Sequence, residues 1–150
     1  MEIRRLGTDD VGALLTAGHL FDHAPTVSWA ADTLARPGHH LLLATVDGSP
    51  AGFVTGIEHA HPDKGVEMLV YELGVDDEFR RRGVATALLD ELAALARRLG
   101  CYGMWVPVDP DNDAALALYR GTGAVGAEAV ILTWEFGQPP DNPATAAMPS

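Results

Sequence analysis

Three consecutive arginines stand directly before a glycine at residues 80–83, and an amphipathic run follows them. The run predicts a helix because its apolar residues recur every three or four positions, at Val84, Leu88, Leu92, Leu95 and Leu99. A helix N-terminus presents unpaired N–H groups and a partial positive charge, so guanidinium groups there reduce stability unless an anion binds. The segment therefore predicts an anion site, for which phosphate is the typical ligand.

The residue types in this segment exclude two common phosphate-binding motifs. The segment has no Gly-Lys-Ser/Thr sequence and does not fit G-x-G-x-x-G, so it is neither a P-loop nor a dinucleotide fingerprint. Gly83 permits close backbone approach, and Arg80, Arg81 and Arg82 could reach diphosphate oxygens. A solvated basic loop before a helix is the alternative interpretation.

The surrounding elements predict an α/β fold in which a mixed sheet lies between helices. The long apolar run Val66–Val75 predicts an interior strand covered on both faces. The other expected elements are a strand at 1–6, helices at 8–21 and 28–36, two strands joined at Asp47-Gly48, a strand within 101–108, a helix from about 112 to 119 and a strand or hairpin at 124–136. We expect one domain over residues 1–136 and a flexible Pro- and Ala-rich tail at 137–150.

The charge balance bears on the partner. With 21 acidic against 10 basic residues and a net charge of −11, the chain is a poor candidate for nucleic-acid binding and suits a cationic substrate, although the charge could serve solubility alone. Cys101 is the single cysteine, no apolar run has membrane-spanning length and the first ten residues lack a signal-peptide pattern, so a cytoplasmic location is expected. The six histidines show no ligand spacing, so no metal is expected.

Two motifs, in order, resemble those of the GNAT N-acetyltransferase superfamily. Arg80-x-x-Gly83-x-Ala85 is similar to its acetyl-CoA diphosphate loop, and Asn112, Ala115 and Tyr119 followed by Gly123 match its N-x-x-A-x-x-x-Y pattern. The resemblance implies a central, mostly antiparallel, splayed sheet flanked by helices. It also implies direct transfer of an acetyl group from acetyl-CoA to a primary amine, without a metal, by a homodimer.

The same resemblance assigns the site residues. Tyr119 is the expected acid that protonates the departing thiolate, although a core aromatic is the alternative. The expected acetyl-CoA contacts are Leu73, Gly74, Val75, Arg80, Arg81, Arg82, Gly83, Val84, Ala85, Thr86, Asn112 and Tyr119.

A narrower likeness concerns the acceptor. Residues 71–119, together with the N-terminal "HLFDH", are similar to aminoglycoside 3-N-acetyltransferases of the gentamicin and fortimicin type, although Glu72 stands where an aspartate is usual. This implies that Glu72, Asp109 and Asp113 face a polycationic amine, with Glu72 as the expected base; a strand-end carboxylate and a turn are the alternatives for Glu72 and Asp109. A polyamine or peptide amine, or a regulatory module that binds CoA without transfer, are the alternative functions.

Overall fold

The computed structural model describes residues 1–137 and contains a five-stranded sheet with helices on both faces. The strands are β1 (Glu2–Arg5), β2 (His39–Val46), β3 (Ser49–His61), β4 (Gly65–Val75) and β5 (Met104–Trp105), and the helices are α1 (Val11–Thr16), α2 (Val27–Ala35), α3 (Val84–Arg98) and α4 (Asp113–Gly121). Short 3-10 turns lie at Thr8–Asp10, Gly18–Leu20 and Asp77–Phe79. The strands run in sequence order, antiparallel except for the parallel pair β4 and β5, which confirms the mixed, mostly antiparallel sheet.

The β2–β3 hairpin turns at Asp47 and Gly48, as the sequence predicts. Both residues have left-handed backbone, with φ of 51° and 81°. Two consecutive left-handed residues match the twist of the flanking strands, which is why Asp-Gly is a strong hairpin signal.

Alternating side chains of the sheet build two cores. On one face, Leu42, Val54 and Met68 pack against α3, whose Leu88 and Leu92 are fully buried. On the other face, residues such as Leu41, Leu43 and Phe53 pack with residues of α1 and α2, among them Leu14 and Ala30. The first core fixes α3 against the sheet, so the start of α3 is held beside the end of β4.

The sheet splays between β4 and β5. β4 pairs with β3 as far as Val75, but it pairs with β5 only at Met68 and Leu69. The strand predicted within residues 101–108 is therefore reduced to two residues, and residues 70–75 present a strand edge that no other described strand covers.

Three predictions about the elements are wrong. The helix expected at residues 8–21 is interrupted, with only Val11–Thr16 in α-helix. Residues 124–136 form no strand, since none of the described strands pairs with them, and Val130, Leu132, Trp134 and Phe136 are exposed. β4 is not covered on both faces, because Tyr71 is 64% exposed and Glu72 is exposed beside it.

The tail predicted at 137–150 lies, apart from Gly137, outside the described residues, so the domain boundary stays a prediction. Within residues 1–137, every helix is too short or too polar to cross a membrane.

Candidate functional site

A cleft of about 1380 Å³ opens where β4 ends and α3 begins. Its walls come from residues 19–23, the second half of β4, the segment that leads into α3, and α4. Arg80 and Arg81 line the cleft close to the start of α3. Asp22 and Glu72 are among the acidic residues that line the same cleft. We call this cavity the main cleft.

The start of α3 presents unpaired backbone N–H groups to the main cleft. Gly83 is the N-cap of α3, with a left-handed φ of 79°. The first helical hydrogen bond runs from Ala87 N–H to the Gly83 carbonyl at 3.0 Å, so the N–H groups of Val84, Ala85 and Thr86 precede the helical ladder. These residues line the main cleft, where their N–H groups and the helix dipole favour an anion.

The arginines divide between two positions. Arg80 and Arg81 line the main cleft, and Arg80 also pairs with Asp77 at 2.9 Å. The Arg82 guanidinium lies 5.2 Å from the centroid of the Phe79 ring, and Arg82 is outside the residues that line the cleft. Two of the three predicted phosphate ligands are therefore at the site.

The open edge of β4 forms the second part of the cleft. Leu73, Gly74 and Val75 line it, as the sequence predicts. A Cβ on Gly74 would lie 2.7 Å from the Phe53 ring and 3.2 Å from the Leu20 carbonyl oxygen, so a glycine is required for the wall to close this tightly. The uncovered strand edge can accept an extended chain with amide groups, which would pair as an additional strand.

A β-bulge positions Glu72. Thr55 pairs with Glu72 and Gly56 pairs with Val70, so Tyr71 is the extra residue of β4. The Glu72 N–H donates to Thr55 Oγ1 at 2.9 Å, which fixes the backbone at this point. Although the residue as a whole is exposed, partial desolvation of the carboxyl at the cleft wall, with the nearby Asp22 charge second, raises the pKa of Glu72. A carboxyl with a raised pKa at a cleft wall is a stronger base than an ordinary carboxylate and is a candidate proton acceptor.

The structure adds acidic and histidine residues that the sequence reasoning did not assign. Asp22, Asp76, His19 and His23 line the same cleft, and His19 Nε2 lies 3.4 Å from Asp76 Oδ2. The sequence signal for this wall is the segment "HLFDH" at residues 19–23, which was used only as part of the similarity to aminoglycoside 3-N-acetyltransferases.

Of the three motif residues predicted on α4, only Ala115 lines the cleft. Ala115 and Leu118 line the cleft, while Asn112 caps the helix by accepting the Ala115 N–H at 3.1 Å. Tyr119 packs against the core between the sheet and α3, where burial raises the pKa of its phenol. It is not among the residues that line the cleft. The role of Tyr119 stays a prediction.

The other predicted acidic residues are not gathered at the site. Asp109 and Asp113 are exposed at the start of α4 and do not line the main cleft. The Asp109 carbonyl accepts the Asn112 N–H at 3.0 Å, which is the turn interpretation of this residue. Within residues 1–137, no three His, Cys, Asp or Glu side chains form a group that could hold a metal ion.

Comparison with known proteins shows the family. The profile of the acetyltransferase (GNAT) family matches residues 10–124, so the chain belongs to that family. The L-2,4-diaminobutyric acid acetyltransferase of Streptomyces coelicolor is 35% identical over 91 residues, which are 60% of this chain and 48% of the relative. The chain thus spans about half the length of this curated relative.

Solved structures share the fold. An aminoglycoside acetyltransferase from an uncultured soil metagenomic sample, solved with sisomicin, superposes with a TM-score of 0.82 at 19% identity, covering 91% of this chain and 96% of the other. The aminoglycoside N-acetyltransferase AAC(6')-Iy, solved with a CoA-acetylneamine bisubstrate analogue, gives a TM-score of 0.76 at 20% identity, with 89% and 97% coverage. At this identity the likeness shows the fold alone.

Proposed function

We propose that the protein transfers an acetyl group from acetyl-CoA to a primary amine of a small polycationic acceptor. The observation that carries this proposal is the main cleft, which joins an anion-binding helix N-terminus to carboxylates through an open strand edge. The N–H groups of Val84, Ala85 and Thr86, with Arg80 and Arg81, suit the CoA diphosphate. The β4 edge at Leu73–Val75 suits the amide-containing pantetheine arm.

The proposed acetyl transfer follows from the residues at the two ends of the main cleft. The amine nitrogen, once neutral, attacks the thioester carbonyl carbon, and the C–S bond breaks to release CoA thiolate. Glu72 accepts the amine proton directly or through water, since its raised pKa brings its basicity toward neutral pH. By the family motif, Tyr119 is the proposed donor of a proton to the thiolate, and its raised pKa keeps the phenol protonated. Its ring packs against the core beside Leu118, which lines the cleft, so this role requires the hydroxyl to reach the thiolate from that position.

Aminoglycosides are the first candidate acceptors. Asp22 and Glu72 in the cleft would attract a polycation, and the likeness of residues 71–119 to 3-N-acetyltransferases points to the 3-amino group. A short diamino acid is the second candidate, because the 35% identical relative is a diaminobutyric acid acetyltransferase.

A thiol-release assay tests the proposal. Purified protein, acetyl-CoA and separate acceptors (gentamicin, a polyamine, a diamino acid and a peptide) should give amine-dependent thiol release with at least one acceptor, and mass spectrometry should find the acetylated amine. Calorimetric binding of acetyl-CoA without thiol release from a broad amine panel would instead identify a CoA-binding regulatory module.

We also propose that the protein is a cytoplasmic homodimer. The single cysteine fits a reducing compartment. The dimer is supported by the exposed side chains of residues 124–136, where Trp134 is 76% and Phe136 is 96% exposed, since apolar runs of this kind mark interaction surfaces. Sedimentation should give a dimer that Trp134→Glu converts to monomer; a monomeric wild-type protein would contradict this.

A further inference from the structure

A second, smaller cavity lies behind Glu72. It has a volume of about 250 Å³ and is lined by the end of α2 together with parts of β2, β3 and β4. Tyr71 and Glu72 line both this cavity and the main cleft, so the two cavities are neighbours that share the proposed base. We call the smaller cavity the side pocket.

The side pocket is rich in hydrogen-bond donors. Arg36, which follows α2, lines it and donates through Nε to Asp32 Oδ2 at 2.8 Å, so its two terminal Nη groups are not used by that pair. Thr55 Oγ1 accepts the Glu72 N–H, which leaves the Thr55 hydroxyl hydrogen available to a ligand. Thr33, which also carries a hydroxyl, is another of the residues that line the pocket. Three residues with donor groups thus line the same pocket as Glu72.

Size and charge together define what the side pocket can take. Pockets for whole small ligands are typically about 300–1000 Å³, so this volume suits one part of an acceptor whose remainder lies in the main cleft. The terminal Nη groups of Arg36 would give a carboxylate charge-assisted hydrogen bonds, although Asp32 partly offsets the charge of Arg36 and Glu72 lines the same pocket.

We propose that the side pocket binds the carboxylate of an amino-acid acceptor while the reacting amine lies beside Glu72. The acceptor class is then a short diamino acid, whose amine and carboxylate are separated by a few carbon atoms. This inference rests on the proposed acetyl transfer, and it favours the second candidate acceptor over an aminoglycoside, which places no carboxylate in the side pocket.

A matched pair of acceptors isolates the carboxylate. Diaminobutyrate and trimethylenediamine have the same carbon spacing between their two amines and differ by the carboxylate alone. With the wild-type protein, kcat/KM should be at least about tenfold higher for diaminobutyrate, as expected for charge-assisted hydrogen bonds. Equal values for the two diamines would overturn the inference.

Two variants of the same ion pair separate recognition from structure. Arg36→Gln should remove most of the preference for diaminobutyrate, mainly through a higher KM for that acceptor, and should change kcat/KM for trimethylenediamine much less. Asp32→Asn breaks the same exposed pair but keeps the guanidinium, so it should preserve or increase the preference. Equal effects of both variants, or no effect of Arg36→Gln, would show that Arg36 does not bind the acceptor.

Failure of the inference differs from failure of the proposed function. If gentamicin or trimethylenediamine is acetylated and diaminobutyrate is no better, acetyl transfer stands and the carboxylate site is wrong. If no amine gives thiol release, the proposed function fails and the acceptor inference fails with it.

Discussion

Replacement of Gly83 by alanine tests the anion-binding end of the cleft. Gly83 has a φ of 79°, and a Cβ built there meets no atom within 4 Å, so the added methyl costs only the left-handed backbone strain of about 1–2 kcal/mol. In a chain of this length, that corresponds to a melting temperature about 2–8 °C lower. The methyl would occupy space beside the Val84, Ala85 and Thr86 N–H groups, so acetyl-CoA affinity should fall at least about tenfold, or 1.4 kcal/mol.

Gly48 provides the matched control for this variant. It has a φ of 81°, and its added Cβ also meets nothing within 4 Å, but it lies in the β2–β3 turn and not in the cleft. Gly48→Ala should lower the melting temperature to a similar extent and leave acetyl-CoA affinity unchanged. Calorimetric titration with acetyl-CoA decides between them. Unchanged affinity in folded Gly83→Ala, or an equal loss in Gly48→Ala, would refute the assignment of the diphosphate to this helix start.

Three further predictions concern titratable groups. Asp22→Asn removes a negative charge that raises the pKa of Glu72, so the acidic limb of the kcat/KM profile should move to lower pH. If the limb does not move, it does not report the ionisation of Glu72. Tyr119→Phe should lower turnover roughly 100-fold with little change in acetyl-CoA affinity, whereas Tyr102→Phe, whose hydroxyl donates to Glu67, should leave turnover unchanged; equal turnover of both would remove the acid role. Burial lowers the pKa of the His40 imidazole below 6.5, so just below that pH the unfolded chain binds more protons than the folded chain. Acidification in this range should therefore lower the denaturation midpoint of the wild-type protein. The same effect should be absent in His40→Gln.

The junction between β4 and α3 could be predicted from the sequence because its signals are local. The position of Gly83, the start of α3 at Val84 and the end of β4 at Val75 all follow from backbone conformation and apolar period within one short stretch. The Asp47-Gly48 turn was predictable for the same reason, since two adjacent residues determine it.

The acceptor end could not be predicted in the same way because it depends on contacts between distant segments. Asp22 reaches Glu72 only when residues 19–23 fold across the end of β4, and the bulge at Tyr71 is a property of the pairing with β3. Asp109 and Asp113 were predicted to face the same substrate as Glu72. The structure instead leaves both of them exposed at the start of α4. The strand or hairpin predicted at 124–136 was wrong because an apolar, β-prone segment shows the capacity to pair and not the presence of a partner edge.

The Glu72→Gln variant gives the most direct test of acetyl transfer to an amine. The change keeps the side-chain shape and removes the basic site, so wild-type protein should release CoA thiol and form acetylated amine, while the variant should lose at least about 100-fold in kcat/KM at unchanged acetyl-CoA affinity. The measurement is thiol release with product mass spectrometry for both proteins, with calorimetric acetyl-CoA binding as the control. A Glu72→Gln protein with wild-type kinetics, or a wild-type protein that binds acetyl-CoA and acetylates no amine, would contradict the account.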